Sequence, residues 1–98
     1  KWGYHKWVVF TDSAGRHGVR EEDAVWAVEH ALLVKPQFQR ARLPGTPDPT
    51  LFVGPDTMGR LIEVMAVHVD GEPVIFHAMR ARKAFLDLID PNRKGGRR

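Results

Sequence analysis

The stretch Arg60-Leu61-Ile62-Glu63-Val64-Met65-Ala66-Val67-His68-Val69, then Asp70-Gly71, then Val74-Ile75-Phe76-His77-Ala78-Met79 decides the fold. Two β-rich apolar runs joined by Asp-Gly read as an antiparallel hairpin, because a tight hairpin turn needs positive φ and these two residues tolerate it. With Asp70 and Gly71 as the turn, Val69 opposes Glu72 and His77 opposes Val64. Directly opposed residues share a face of the sheet. One face then carries Leu61, Glu63, Met65, Val67, Val74, Phe76 and Ala78. It is the more hydrophobic and is assigned to the core and the helices. The other carries Arg60, Ile62, Val64, Ala66, His68, Ile75, His77 and Met79, a mixture that suits a half-exposed or binding surface. A slip of one residue would exchange the two faces.

Working towards the N-terminus, Leu51-Phe52-Val53 is a second strand, stopped by Gly54-Pro55-Asp56. Residues 35–50 hold Pro36, Pro44, Gly45, Pro47 and Pro49 and read as an irregular loop, with at most a poor strand around Phe38. Ahead of it, residues 21–33 read as the best helix. Ala24, Ala27, Val28, Ala31 and Leu32 recur at helical spacing, and Glu21, Glu22 and Asp23 suit the first turn. Trp26 and Leu33 lie off that stripe. Thr11-Asp12-Ser13 can cap a short helical turn reaching His17, with Gly18 as its left-handed stop. Trp7-Val8-Val9-Phe10 is the first strand. Beyond the hairpin, residues 80–89 read as a helix with Ala81, Ala84, Phe85 and Leu88 inward, ended by Pro91. The expectation is an α+β fold: a small antiparallel sheet of three to four strands with helices packed on one face. A single domain spans 1–91, and 92–98 form a basic flexible tail.

Composition narrows the chemistry. The chain of 98 residues has 15 Lys and Arg against 12 acidic residues, a net charge of +3. That permits an anionic partner without requiring one. The absence of cysteine removes disulfides, thiolate metal sites and cysteine nucleophiles, and fits a reducing, cytoplasmic setting. No apolar run approaches the roughly 18 residues of a membrane span, so no membrane partner is expected. The five histidines form neither a helix-spaced pair nor a zinc-type cluster. Ser13 is the only serine and has no nucleophile elbow around it. Neither a metal nor a cofactor is expected.

The candidate functional residues are cations and histidines. Arg80, Arg82 and Lys83 crowd the expected first turn of the last helix, where they oppose the helix dipole unless an anion such as phosphate joins them. The alternative is a solvated surface run. Arg60 should lie near the same end of the hairpin, and Arg40 and Arg42 decorate the proline-rich loop. His77 is placed for general acid/base work beside a phosphate, or is packed inertly on the sheet. His17 either meets the carbonyls at its helix end or faces a ligand. Glu63, on the core face, is a base or a buried partner for an arginine. Trp26, Phe38 and the Trp2/Tyr4/Trp7 group are aromatic excess, for a partner surface or for the core.

Three short blocks carry a family resemblance. Arg16-His17-Gly18-Val19 followed by Glu21-Glu22-Asp23-Ala24 resembles the K-H-G-V-x-x-E-E-A element of BrnT-like toxins, which belong to the RelE/ParE superfamily. Gly59-Arg60-Leu61-Ile62-Glu63-Val64 resembles that family's G-R-x-L-x-V strand. Val74 to Met79 with the basic segment after it resembles the final I-I-S-A-R strand and its arginine-rich helix. His77 stands where that pattern has Ser, and Met79 where it has Arg. The resemblance spans about residues 10 to 89. It implies the toxin component of a type II toxin-antitoxin system: a metal-independent endoribonuclease acting on mRNA, free or ribosome-bound, and silenced by a cognate antitoxin protein through which it could oligomerise. On that reading His77, Arg60 and Arg82 are catalytic, with His77 moving protons and the arginines holding phosphate charge. His17, Arg80, Lys83, Arg40 and Arg42 would bind RNA. The rival is a non-catalytic nucleic-acid- or protein-binding module, with residues 11–34 as a helix-turn-helix, although the acidic face of the longer helix is wrong for a recognition helix.

Overall fold

The Asp-Gly hairpin forms as its residues dictate. The computed structural model describes residues 8–40, 45, 47–90 and 92. Asp70 and Gly71 both adopt positive φ (52° and 81°), the geometry that matches the twist of the flanking strands. They join β4 (Leu61–Val69) to β5 (Glu72–Arg80), with Val69 opposite Glu72 as expected. Further strands extend this hairpin on both sides. β3 (Thr50–Pro55) pairs antiparallel with β4, and β2 (Leu33–Lys35) pairs antiparallel with β3. β1 (Val9–Phe10) runs parallel to β5, against Val74 and Ile75. The result is a mixed five-stranded sheet in the order β1-β5-β4-β3-β2, in place of an antiparallel sheet of three to four strands.

The helices also depart from expectation: they cover both faces. Helix α1 (Glu21–Glu29) buries Ala24, Val25, Ala27 and Val28 against Ile62, Val64, Ala66, Ile75 and Ala78. Helix α2 (Lys83–Ile89) lays Phe85 and Ile89 against Leu51, Val53 and Met65 on the other face. Alternation along β3 and β4 makes both faces apolar, so each needs a cover. The inward spacing of the last helix is Ala81, Phe85 and Ile89, while Ala84 and Leu88 are exposed.

Element ends shift for local reasons. α1 stops at Glu29, because the His30 backbone N–H and ring Nδ1 both meet the Trp26 carbonyl oxygen and close the helix there. Leu33, read as the last helical residue, instead opens β2 and packs beside Val53 on the α2 face. Gly54 and Pro55 extend β3 rather than stopping it. The 3₁₀ turn Ala14–His17 ends at Gly18 with φ 82°, and Thr11 Oγ1 accepts from the Ala14 N–H at its start. Trp2, Tyr4, Trp7 and nearly all of the tail from residue 92 lie outside the described residues.

The register of β5 carries the main correction. Ala66 pairs with Ile75, but Met65 pairs with His77, so Phe76 is an extra residue in β5. Such a bulge re-aims every side chain beyond it. His77 and Met79 therefore join the face of Glu63 and Met65, while Ala78 and Arg80 join the α1 face with Val64 and Ile62. The expected pairing of His77 with Val64 is replaced by Ala78 with Val64.

Gly54 fixes the approach of α1 to the sheet. A Cβ there would stand 2.4 Å from the Ala27 carbonyl oxygen and 3.0 Å from the Ala31 Cα, both backbone atoms. Gly54→Ala must push the helix off β3. It should destabilise the protein by about 2–3 kcal/mol, read as a lower urea midpoint at unchanged slope.

Candidate functional site

The bulge matters because of what His77 then meets. Glu63 is fully buried in the middle of an apolar sheet, where a bare carboxylate would be prohibitively costly. It is saturated with donors. His77 Nε2 lies 2.8 Å from Oε2. The Arg82 backbone N–H donates to Oε1 at 2.9 Å. Arg82 Nε spans both oxygens at 3.2 and 3.0 Å, and Nη2 donates to Oε2 at 2.6 Å. Burial alone would raise the Glu63 pKa. The hydrogen bonds from His77 and Arg82 and the guanidinium charge outweigh it and hold the carboxyl below its ordinary range. Glu63 is therefore an ionised acceptor. Of the two sequence readings, partner for an arginine and base, the first describes it.

The carboxylate fixes the chemistry of both neighbours. A carboxylate only accepts, so the His77 Nε2 carries the proton and Nδ1 is left with its lone pair when the ring is neutral. Arg82 commits Nε and Nη2 to Glu63 and keeps Nη1 for another acceptor. Its side chain is 53% exposed and its guanidinium carbon lies 5.2 Å from the centre of the Phe85 ring. Arg82 is the N-cap of α2 rather than a first-turn residue, which is why its backbone N–H is available to Glu63.

His77 and Arg82 line an open cleft of about 490 Å³ together with Ser13, Arg16, Gln39 and Phe76. The 3₁₀ turn forms one wall, tied to β5 by the Ser13 hydroxyl donating to the Phe76 carbonyl oxygen at 2.8 Å. That turn brings His17 to His77: the rings meet edge to face, 6.0 Å between centres. Arg16 is exposed and makes no ion pair among the described residues. The cleft thus combines an oriented imidazole, a half-paired guanidinium and the Arg16 guanidinium, and the imidazole of His17 lies beside that of His77.

Arg60 and Arg80 do not enter this cleft. They line a neighbouring hollow of about 180 Å³ with His17, Asp23 and Asp56. Arg60 Nε donates to the buried Asp56 carboxylate at 3.0 Å, and Asp56 also accepts the Met58 and Arg60 backbone N–H groups. Burial raises the Asp56 pKa, but those bonds prevail and its carboxyl lies below the ordinary value. Arg80 is the last residue of β5, not a helical residue, and faces the α1 side. Lys83 pairs with Asp87 at 3.1 Å on the α2 surface. Arg40 is exposed and lines neither hollow, and Arg42 lies outside the described residues.

No family model, curated protein or solved structure matches this chain.

Among the described residues no group of three or more His, Cys, Asp or Glu side chains could hold a metal ion, and no helix is long and apolar enough to cross a membrane. Sequence reasoning singled out His77, Arg82 and His17 but missed Ser13, Arg16 and Gln39. For Arg16 a signal existed, its adjacency to His17; for Gln39 there was none, since only the folded loop brings it to the cleft.

Glu63→Gln tests the electrostatics. Because the folded carboxyl is held below its ordinary range, its stabilisation is complete above that range and is lost as pH falls through it. The variant should be less stable than wild type by about 2–3 kcal/mol near neutral pH. The gap should narrow below about pH 4, in urea titrations across a pH series.

Proposed function

We propose that the protein is a metal-independent endoribonuclease of the toxin type, cleaving mRNA by attack of a ribose 2′-hydroxyl on the adjacent phosphate. The observation that carries this reading is the buried Glu63 carboxylate, which orients His77 and Arg82 together at the floor of an open cationic cleft. His77 Nδ1 takes the proton from the 2′-hydroxyl. The 2′-oxygen forms its bond to phosphorus, and the bond to the 5′-oxygen breaks. His17, whose ring centre lies 6.0 Å from that of His77, returns a proton to that leaving oxygen. Arg82 Nη1 and Arg16 meet the charge that builds on the phosphoryl oxygens. The products are a 2′,3′-cyclic phosphate and a 5′-hydroxyl. Glu63 is a positioning residue, holding the tautomer of His77 and the fork of Arg82. Arg60, expected at the reacting phosphate, belongs to the neighbouring hollow in this scheme.

The toxin assignment, with a cognate antitoxin as partner and a cytoplasmic site of action, draws support from the resemblance in residues 16–24, 59–64 and 74–79. The rival helix-turn-helix loses support from the geometry. Residues 14–17 are one 3₁₀ turn, and α1 is buried along Ala24, Val25, Ala27 and Val28 against the sheet.

The test is cleavage of single-stranded RNA in excess chelator. Wild type should cut, leave cyclic phosphate ends and spare a 2′-deoxy strand. His77→Ala should lose about 10²–10⁴-fold in kcat, measured where the variant is still fully folded, since loss of a donor to the buried Glu63 also lowers its unfolding midpoint. Absence of cleavage by wild type, with and without ribosomes, refutes the proposal.

A further inference from the structure

The hollow lined by Arg60 and Arg80 has no task in that chemistry, yet it is built with care. Its two acidic residues are buried and consumed. Asp23 accepts the Thr57 backbone N–H and hydroxyl and pairs with Arg20, which staples α1 to the turn between β3 and β4. Asp56 accepts three donors from that same turn. Burial raises the Asp23 pKa, but the Thr57 and Arg20 bonds prevail, so it too is held ionised by protein donors. Asp56 holds Arg60 by its Nε and leaves both of its Nη groups uncommitted. The Arg80 side chain is exposed and makes neither a hydrogen bond nor an ion pair among the described residues. Two guanidinium groups thus face solvent over a rigid floor, with His17 beside them.

The sheet edge connects this hollow to the cleft. On the outer side of β5, β1 covers Val74 and Ile75 and the 3₁₀ turn docks beside Phe76 through Ser13, so among the described residues no strand pairs with β5 from His77 to Arg80 there. His77 lies on the α2 face of β5 and Arg80 on the α1 face. His17 lines the second hollow and touches His77, which lines the first, with its ring, 6.0 Å between centres.

We infer that the Arg60/Arg80 hollow seats the phosphate next to the scissile one, and that the substrate is a single strand of at least three nucleotides bent at His17 over the β5 edge where the 3₁₀ turn docks. This rests on the cleft being the RNA site. A duplex is excluded as substrate by its stiffness: it cannot fold over an edge one strand thick. Both faces of one strand end would then hold successive phosphates of the same RNA.

Binding of 2′-deoxy-oligothymidylates, which lack the nucleophile and survive intact, tests this by fluorescence anisotropy across a salt series. A tetranucleotide carries a phosphate for each hollow, and a dinucleotide fills only the cleft. Arg80→Gln should lower the salt slope of tetranucleotide binding by about 0.7, the loss of one phosphate contact on a single strand. It should leave dinucleotide binding unchanged, and a duplex of equal length should bind more weakly than the single strand. Lys35→Gln, on the exposed side of β2, should change neither slope. An unaltered slope in Arg80→Gln, with wild type still binding, overturns the second subsite and leaves the cleft reading standing. Failure of wild type to bind any of these strands overturns both.

Discussion

A single buried carboxylate organises one end of this molecule. Glu63 sits on a face of the sheet that surrounds it with Leu51, Val53, Met65 and Met79, and an unpaired charge there would unfold the protein. The fold answers with contacts from the imidazole of His77 and from the backbone and guanidinium of Arg82, which fill the accepting capacity of both oxygens. Saturation has two consequences. The carboxylate stays ionised and cannot serve as a base. Its partners lose their freedom, so each presents its remaining nitrogen to the cleft in a set direction. Preorganisation of this sort lets a small site act on charge without moving side chains at the moment of reaction.

The geometry depends in turn on one irregularity in β5. Without the bulge at Phe76, His77 would point into the α1 face among Ile62, Val64 and Ala66, and Glu63 would lose a partner. The extra residue costs a ladder interaction and transfers the imidazole to the opposite face. It also sets small Ala78, rather than His77, against Val64 beneath α1. Bulge and buried acid are therefore one device: the first delivers the histidine, and the second holds it.

The strong local signals were legible in the sequence: the Asp70-Gly71 turn, the left-handed stop at Gly18 and the first turn of α1. Local periodicity could not report competition between elements. Ala31 and Leu32 continue the apolar spacing of α1, yet the His30 ring and the edge of β3 end the helix and draw Leu33 into a strand. Val74-Ile75-Phe76 is a run of three large apolar residues that breaks alternation, the one trace a bulge leaves in sequence. The register was therefore correct at Val69 and Glu72 and wrong by one residue at His77. The Glu63–Arg82 partnership was foreseeable from a lone acid in an apolar strand; the convergence of His17 with His77 required the turn to dock on β5.

Charge distribution, rather than net charge, governs what this surface can hold. A surplus of +3 over 98 residues is too small to steer an anion from afar, and at physiological salt the field of one exposed charge fades within about 8 Å. The acids near the site are spent internally: Glu63 on Arg82 and His77, Asp56 on Arg60 and its turn, Asp23 on Thr57 and Arg20. Arg16 and Arg80, one in each hollow, have no such partner among the described residues. Within a screening length the local balance is thus cationic, although the chain as a whole is nearly neutral. A polyanion with charges spaced along a flexible backbone can engage both guanidinium groups at once, whereas a compact monoanion can engage only one.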